Sequence, residues 1–345
     1  MEPVVAGRKV QLAAFGEYLL RLHSGEGRRF LQTDAYRVYY AGAEANTCVL
    51  LSRLGIPVDY ITRLPANDLA EAGVAQLRAQ GVGTGHIVYG DDKLGVFFTE
   101  QGNGIRNTRV IYDRTGSSYA RVQPGMIDWK KVLQGVPYFH WSGISAAVSA
   151  GAADTCAEAL AIARETGMRI STDFNYRSTL WKYGKHPREV MPALLQYTHV
   201  AVADLDAAGV YFGIGTDPEA GFEERFRVCS LALQEKLPGL EVLAMSFRKT
   251  KGNQHQYSGA LLHKGDYYFS AERDLPFVTD PIGSGDAFTA GLLYGLMQEM
   301  QPQSIIDLAV ACGALKQSIP GDWALITLSE AEQFIQNGPS GRVFR

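Results

Sequence analysis

Residues 279–296 read TDPIGSGDAFTAGLLYGL, and Gly283, Ser284, Gly285 and Asp286 stand where the pattern opens a helix. Two glycines in three residues weaken the backbone entropically, which is tolerated where the chain must approach something closely and stay bare. N–H groups at a helix N-terminus, stripped of Cβ bulk, make a ready anion site. A carboxylate in the same first turn could orient an attacking hydroxyl and take its proton. That pairing suits phosphoryl transfer, which needs positioning, charge stabilisation and a proton acceptor rather than covalent help. The helix dipole predicts that Asp286 stays ionised and is therefore a weak base. The plainer alternative is a tight strand-to-helix turn whose aspartate only favours the positive end of the helix.

Such a cradle has to be carried by a scaffold, and the middle and C-terminal parts supply a rhythm for one. Strands are expected at 136–144, 168–175, 198–205 and 240–247, and a hairpin at 257–271. Helices are expected at about 147–166, through REVMPALLQY, near 222–236 and after GSGD. Strand and helix in alternation indicate an α/β fold with a mostly parallel sheet covered on both faces. In such sheets ligands bind beyond the carboxyl ends of the strands. The polar clusters HWSGI (140–144), DFNYR (173–177), ADLD (203–206), SFRK (246–249) and GSGD (283–286) all fall at such ends. Five clusters on one edge point to a cleft.

Two segments break the rhythm. Residues 18–40 and 94–122 alternate apolar and polar residues around Gly and Asn turns, which is antiparallel strand chemistry. Helices at 43–55 and 68–81, each ended by Gly, lie between them. The expected organisation is one domain over 1–345 with a small β-lid built from the two excursions.

Composition narrows the partners. The 345 residues are 46% hydrophobic and carry a net charge of −3, with both signs scattered. That balance argues against nucleic acid or an anionic membrane as the main partner. Cys48, Cys156, Cys229 and Cys312 are far apart and show no metal-type spacing. With no apolar leader-like run in MEPVVAGRKV and no stretch of membrane-span length, a cytoplasmic protein is expected. GxxxxGK[ST], HExxH and GxSxG are all missing, and GVGTG (81–85) has neither the spacing nor the preceding strand of a dinucleotide loop.

At these residues the chain resembles the ribokinase-like (PfkB-type) carbohydrate kinases. That family's C-terminal signature, roughly D-T-x-G-A-G-D-x-F-x-x-G, stands here as Asp280-Pro281-Ile282-Gly283-Ser284-Gly285-Asp286-Ala287-Phe288, closed by Gly291. Its N-terminal Gly-Gly-x-x-x-Asn stands as Ala41-Gly42-Ala43-Glu44-Ala45-Asn46. Within the family the chain is most similar to 2-keto-3-deoxygluconate kinases, through VIYDR (110–114), residues 128–145, DFNYRSTLWKYGK (173–185) and IPGDWALIT (319–327). The resemblance implies a ribokinase-like three-layer fold and transfer of the ATP γ-phosphoryl to a sugar-acid hydroxyl, with ATP and Mg²⁺ as cofactors. It implies Asp286 as base and Gly283, Ser284, Gly285 and Asp286 as the anion hole. Gly42, Asn46, Phe97, Tyr112, Arg114, Ile144 and Arg177 would contact substrate, and Ser246, Arg248, Gly283 and Gly285 would contact ATP. It also implies a homo-oligomer, at least a dimer, formed through the lid. The apolar stretches YRVYY (36–40) and GVFF (95–98) independently favour that.

An independent physical reason favours an acidic sugar. A carboxylate is matched by guanidinium, ideally as a planar fork, and Arg114 and Arg177 could approach one pocket from two sides. The chain also departs from the pattern. Ala41 replaces a glycine, Pro281 replaces the signature threonine, and Phe97 stands where related kinases often carry tyrosine. The family's Asn-x-x-Glu element stands as Asp204-Leu205-Asp206-Ala207. Either Asp204 or Asp206 carries the metal-linked charge from a shifted position, or metal handling is impaired; Mg²⁺ needs only one or two carboxylates besides phosphates and water. Two other functions remain open: a kinase for a neutral sugar such as fructose or ribose, and a catalytically weak sugar- or nucleotide-binding sensor.

Overall fold

The computed structural model describes residues 9–102, 106–251 and 254–339. Its centre is a sheet in which Val58–Ile61, Leu12–Phe15, Tyr138–Ser142, Arg169–Asp173, Val200–Val202 and Val242–Lys251 lie side by side, all parallel. Gln254–His263 then turns back antiparallel, and both Asp266–Phe269 and Arg273–Leu275 pair with it. Short apolar runs form these strands because both sheet faces are covered, and alternate residues fall into two different cores. Leu12, Val200, Val202, Val242 and Ala244 belong to one, while Ala13, Phe15, Ala201, Leu243 and Met245 belong to the other. The result is three layers, helix over sheet over helix.

The first helical layer contains Ala43–Arg53, Asp68–Ala79, Ser284–Met297 and Pro302–Lys316. Its central pair explains two of the glycines in TAGLLYGL. A Cβ at Gly291 or Gly295 would press on Ala309 or Ile305 of the neighbouring helix, so these glycines let the two helices pack closely. The second layer contains Ala150–Glu165, Pro187–Leu195, Leu205–Phe212 and Phe222–Lys236. Among the described residues no helix is long and apolar enough to cross a membrane.

The lid is a four-stranded sheet in the order Arg37–Ala41, Leu19–His23, Gly95–Glu100, Arg109–Asp113. Each excursion contributes one antiparallel pair, as its alternation predicts. The two pairs are joined by a parallel pairing of Leu19–His23 with Gly95–Glu100, a junction that neither segment reveals alone.

Candidate active site

The cradle forms as its residue types require. Gly283 caps the helix Ser284–Met297 with φ +87°, a left-handed conformation that glycine adopts without strain. A Cβ there would also overlap the carbonyl oxygen of Asp322. Gly285 differs: a Cβ at this position would meet nothing within 4 Å, so its backbone faces open space. The first turn of the helix, whose N–H groups lack intrahelical partners, therefore stands bare at a cavity of about 450 Å³.

Asp286 projects from that turn and accepts a hydrogen bond from Asn46 Nδ2 at 2.7 Å. Burial pushes its carboxyl up to about 8; Asn46 opposes the shift and the nearby Asp173 adds to it. Asp173, at the end of its strand, is itself raised to about 7, again chiefly by burial. This corrects the expectation of a weak, fully ionised base. The partial charge of a helix terminus is outweighed by desolvation and by a second carboxyl close by. Asp286 could therefore exchange a proton near neutral pH.

The opposite wall is the lid. The rings of Phe97 and Tyr112 pack 5.9 Å apart between centroids, tilted by 34°, and both line the cavity with Arg114. Arg114 is held rather than free. Its Nε and Nη2 donate to Glu17 Oε2, the former at 2.7 Å, while Ser117 donates to Glu17 Oε1 at 2.7 Å. A substrate carboxylate would therefore meet an arginine with a fixed plane but with part of its fork already engaged. Arg177 lines the same cavity, is exposed, and donates to the carbonyl of Tyr176. Both arginines line one cavity, Arg114 just after the lid strand Arg109–Asp113 and Arg177 just after the strand Arg169–Asp173. Gly42, Asn46 and Ile144 complete its floor. At Gly42 any Cβ would overlap the carbonyl oxygen of Glu17, so the glycine lets the lid hinge come close.

Ser246 and Arg248 sit at the far end of the cavity, where Arg248 Nη2 donates to Ser284 Oγ at 2.8 Å. That contact places a guanidinium beside the bare helix turn. Ser246 and Arg248 also line a smaller cavity with Asp204 and Asp206. Asp204 caps the helix Leu205–Phe212, accepting from Ala207 N at 2.7 Å. Asp204 is exposed at the surface, yet desolvation by the groups around it raises its pKa. Asp206, in the same first turn, is exposed. Among the described residues no three His, Cys, Asp or Glu side chains gather as a metal site. The two aspartates suit a cation that brings phosphate and water ligands of its own.

Of the five strand-end clusters, four reach the first cavity and Asp204 and Asp206 line its neighbours. His140 does not take part: it is buried, bonded to Ser171 Oγ at 2.8 Å, and lowered to about 4 by burial. Asp173 and Asn175 line the cavity as members of the DFNYR cluster, and Glu17 and Asp322 line it although the sequence reading gave neither a site role. A signal existed for Glu17. It and Arg21 are the two charges in the apolar run VQLAAFGEYLLRL, residues 10–22.

Comparison with known proteins agrees with this geometry. The model of the pfkB family carbohydrate kinases matches residues 11–223 and 259–322. The 2-dehydro-3-deoxygalactonokinase of Haloferax volcanii is 30% identical over 336 residues, covering 96% of this chain and 98% of the relative. The 2-dehydro-3-deoxygluconokinase of Thermoproteus tenax is 27% identical, covering 95% of this chain and 94% of its own length. The crystal structure of 2-dehydro-3-deoxygluconokinase from Thermotoga maritima superposes with a TM-score of 0.90 at 29% identity, covering 96% of this chain and 99% of that one.

Proposed function

The chain belongs to the pfkB family of carbohydrate kinases, and within it we propose that it transfers the γ-phosphoryl group of ATP to a hydroxyl of 2-keto-3-deoxygluconate. The observation that carries the substrate class is the pair Arg114 and Arg177, set across one cavity from the base. Glu17 already balances the charge of Arg114, so Arg177 is the guanidinium that a sugar acid's carboxylate would neutralise, with Nη1 of Arg114 as a further donor; a neutral sugar offers no such match. The acids named by the two curated relatives share that carboxylate and differ in the configuration of one hydroxyl-bearing carbon, so both belong to this substrate class.

In the reaction the substrate hydroxyl lies against Asp286. Its oxygen forms the new bond to the γ-phosphorus, the bridging bond to the β-phosphate breaks, and ADP leaves. The proton passes to Asp286 late, as a loose transition state requires. The amides of Gly283, Ser284, Gly285 and Asp286 hold the migrating group, and Arg248 supplies positive charge from the nucleotide side. Gly42, Asn46, Phe97, Tyr112 and Ile144 shape the sugar subsite, and Ser246 borders the nucleotide. Asp204 and Asp206 are the carboxylates that would hold Mg²⁺, which when bound offsets charge on the phosphates. The four cysteines are buried free thiols, which supports a cytoplasmic setting. The whole chain acts as one kinase domain and assembles with a second copy through the lid.

The test is ATP turnover by purified protein with 2-keto-3-deoxygluconate, its galactonate epimer, gluconate, fructose and ribose, with Asp286→Ala as control. Preference for the keto-deoxy acids, lost in the variant, is expected. Equal turnover of fructose or ribose would remove the arginine argument and keep the kinase.

A further inference from the structure

The lid is fastened to the core by several contacts, Gln101 to the carbonyl of Thr279 and Tyr40 to that of Leu69 among them, and two buried charge clusters lie at its base. At the sugar end, Glu17 holds Arg114 and Ser117. At the phosphate end, Arg21 leaves the lid strand Leu19–His23 and enters a buried cluster of charges. Its Nη1 lies 2.8 Å from Asp280 Oδ2 and 2.9 Å from Asp322 Oδ2, and its Nε donates to Thr99 Oγ1 at 3.0 Å. Lys316, wholly buried, completes the cluster. Its Nζ donates to the main-chain oxygens of Asp280 at 3.1 Å and Ile319 at 3.0 Å. Two cations thus face two carboxylates.

The backbone of the cradle is attached to those carboxylates. Asp280 Oδ1 accepts from Ile282 N at 3.2 Å, and Oδ2 accepts from Gly321 N at 3.1 Å. The carbonyl of Asp322 is packed against Gly283. The chain entering Gly283 is therefore held by Asp280 and packed by the backbone of Asp322, two acids that Arg21 joins. A buried ion cluster gives little net stability compared with apolar packing, so what it contributes here is geometry.

We propose that Arg21 is a positioning residue for phosphoryl transfer: through Asp280 and Asp322 it fixes where the amides of Gly283 to Asp286 stand, and ties that position to the lid. This role rests on the chain being a kinase. Because Glu17 anchors the sugar end separately, loss of Arg21 displaces the cradle and leaves the sugar-acid subsite in place. The effect falls on kcat.

Wild type, Arg21→Met and the gentler Thr99→Val are compared in turnover of 2-keto-3-deoxygluconate, resolved into kcat and KM, and in thermal unfolding. Arg21→Met should lower kcat by about a hundredfold, the order expected for a misplaced reacting group, with KM for the sugar acid within about twofold. Thr99→Val should show a smaller fall of the same kind. Adding Asp322→Asn to Arg21→Met should cost little more than Arg21→Met alone, since both act through one cluster. A folded Arg21→Met with wild-type kcat, or a loss confined to KM, would overturn the role. If Arg21→Met does not fold, Thr99→Val decides by the same criterion. Wild type inert toward every sugar would sink the kinase reading and this role together, whereas active wild type beside an unaffected Arg21→Met sinks this role alone.

Discussion

In the proposed role of base, Asp286 works only without its proton, yet its surroundings favour keeping it. Activity is therefore present above its pKa and lost below: kcat/KM should climb with pH through the region between about 7 and about 8, where Asp173 and Asp286 titrate. A pH profile of initial rates checks this, and a flat profile from pH 6 to 9 would contradict it. Stability runs the other way. A carboxyl whose folded pKa is raised binds its proton more tightly folded than unfolded, so its contribution falls as pH rises toward 8. Asp286→Asn should thus reduce turnover by roughly 10²-fold or more while raising the thermal midpoint of the ligand-free protein by roughly 2 °C at pH 8. That gain should shrink toward pH 5, where the wild-type carboxyl is already neutral. A midpoint shift independent of pH would show that burial of this carboxyl does not carry the cost.

At the scale of one element, the two glycines at the start of the helix Ser284–Met297, its cap Gly283 and Gly285, have different reasons to be there. Gly283 is left-handed and pressed against Asp322, so Gly283→Ala should destabilise the fold by about 1 kcal/mol or more and also reduce turnover. Gly285 has ordinary helical geometry and open space before it, so Gly285→Ala should leave stability equal or slightly raised. Its methyl group would nevertheless stand where phosphate must come, and turnover should fall. Denaturant unfolding beside initial rates separates the two; a Gly285→Ala enzyme with full activity would mean that phosphate docks elsewhere. Elements of this kind were legible from the sequence because their signals are local. The helix Phe222–Lys236 and the strand ends carrying Ile144, Asp173, Arg177 and Ser246 lie where periodicity put them. What local signals could not supply is who pairs with whom. Arg114 meets Glu17 across 97 positions, and Arg21 meets Asp322 across 301. A single sequence carries no trace of such pairings, so Arg114 read as a free fork and Arg21 as an ordinary strand residue. The pKa of Asp286 was hidden for the same reason, because the burial that raises it is tertiary.

Over the whole molecule, the lid presents apolar side chains outward: Val38 is 57% exposed on one outer strand and Ile111 is 48% exposed on the other. Such edges favour pairing with a second copy. Light scattering should give at least a dimer, and the double substitution Val38→Glu, Ile111→Glu should reduce it to a monomer; a wild-type monomer at working concentration would rule the lid interface out. The sheet order has a further consequence, for synthesis rather than catalysis. The strand Leu12–Phe15 is made before either of its neighbours, Val58–Ile61 on one side and Tyr138–Ser142 on the other. A ribosome adding about 5–20 residues per second needs on the order of ten seconds to deliver the second neighbour. Throughout that interval a wholly apolar strand has one hydrogen-bonding edge uncovered. The nascent chain is therefore most prone to aggregate before residue 142 emerges, and chaperone supply at that stage should govern the yield of the enzyme in cells.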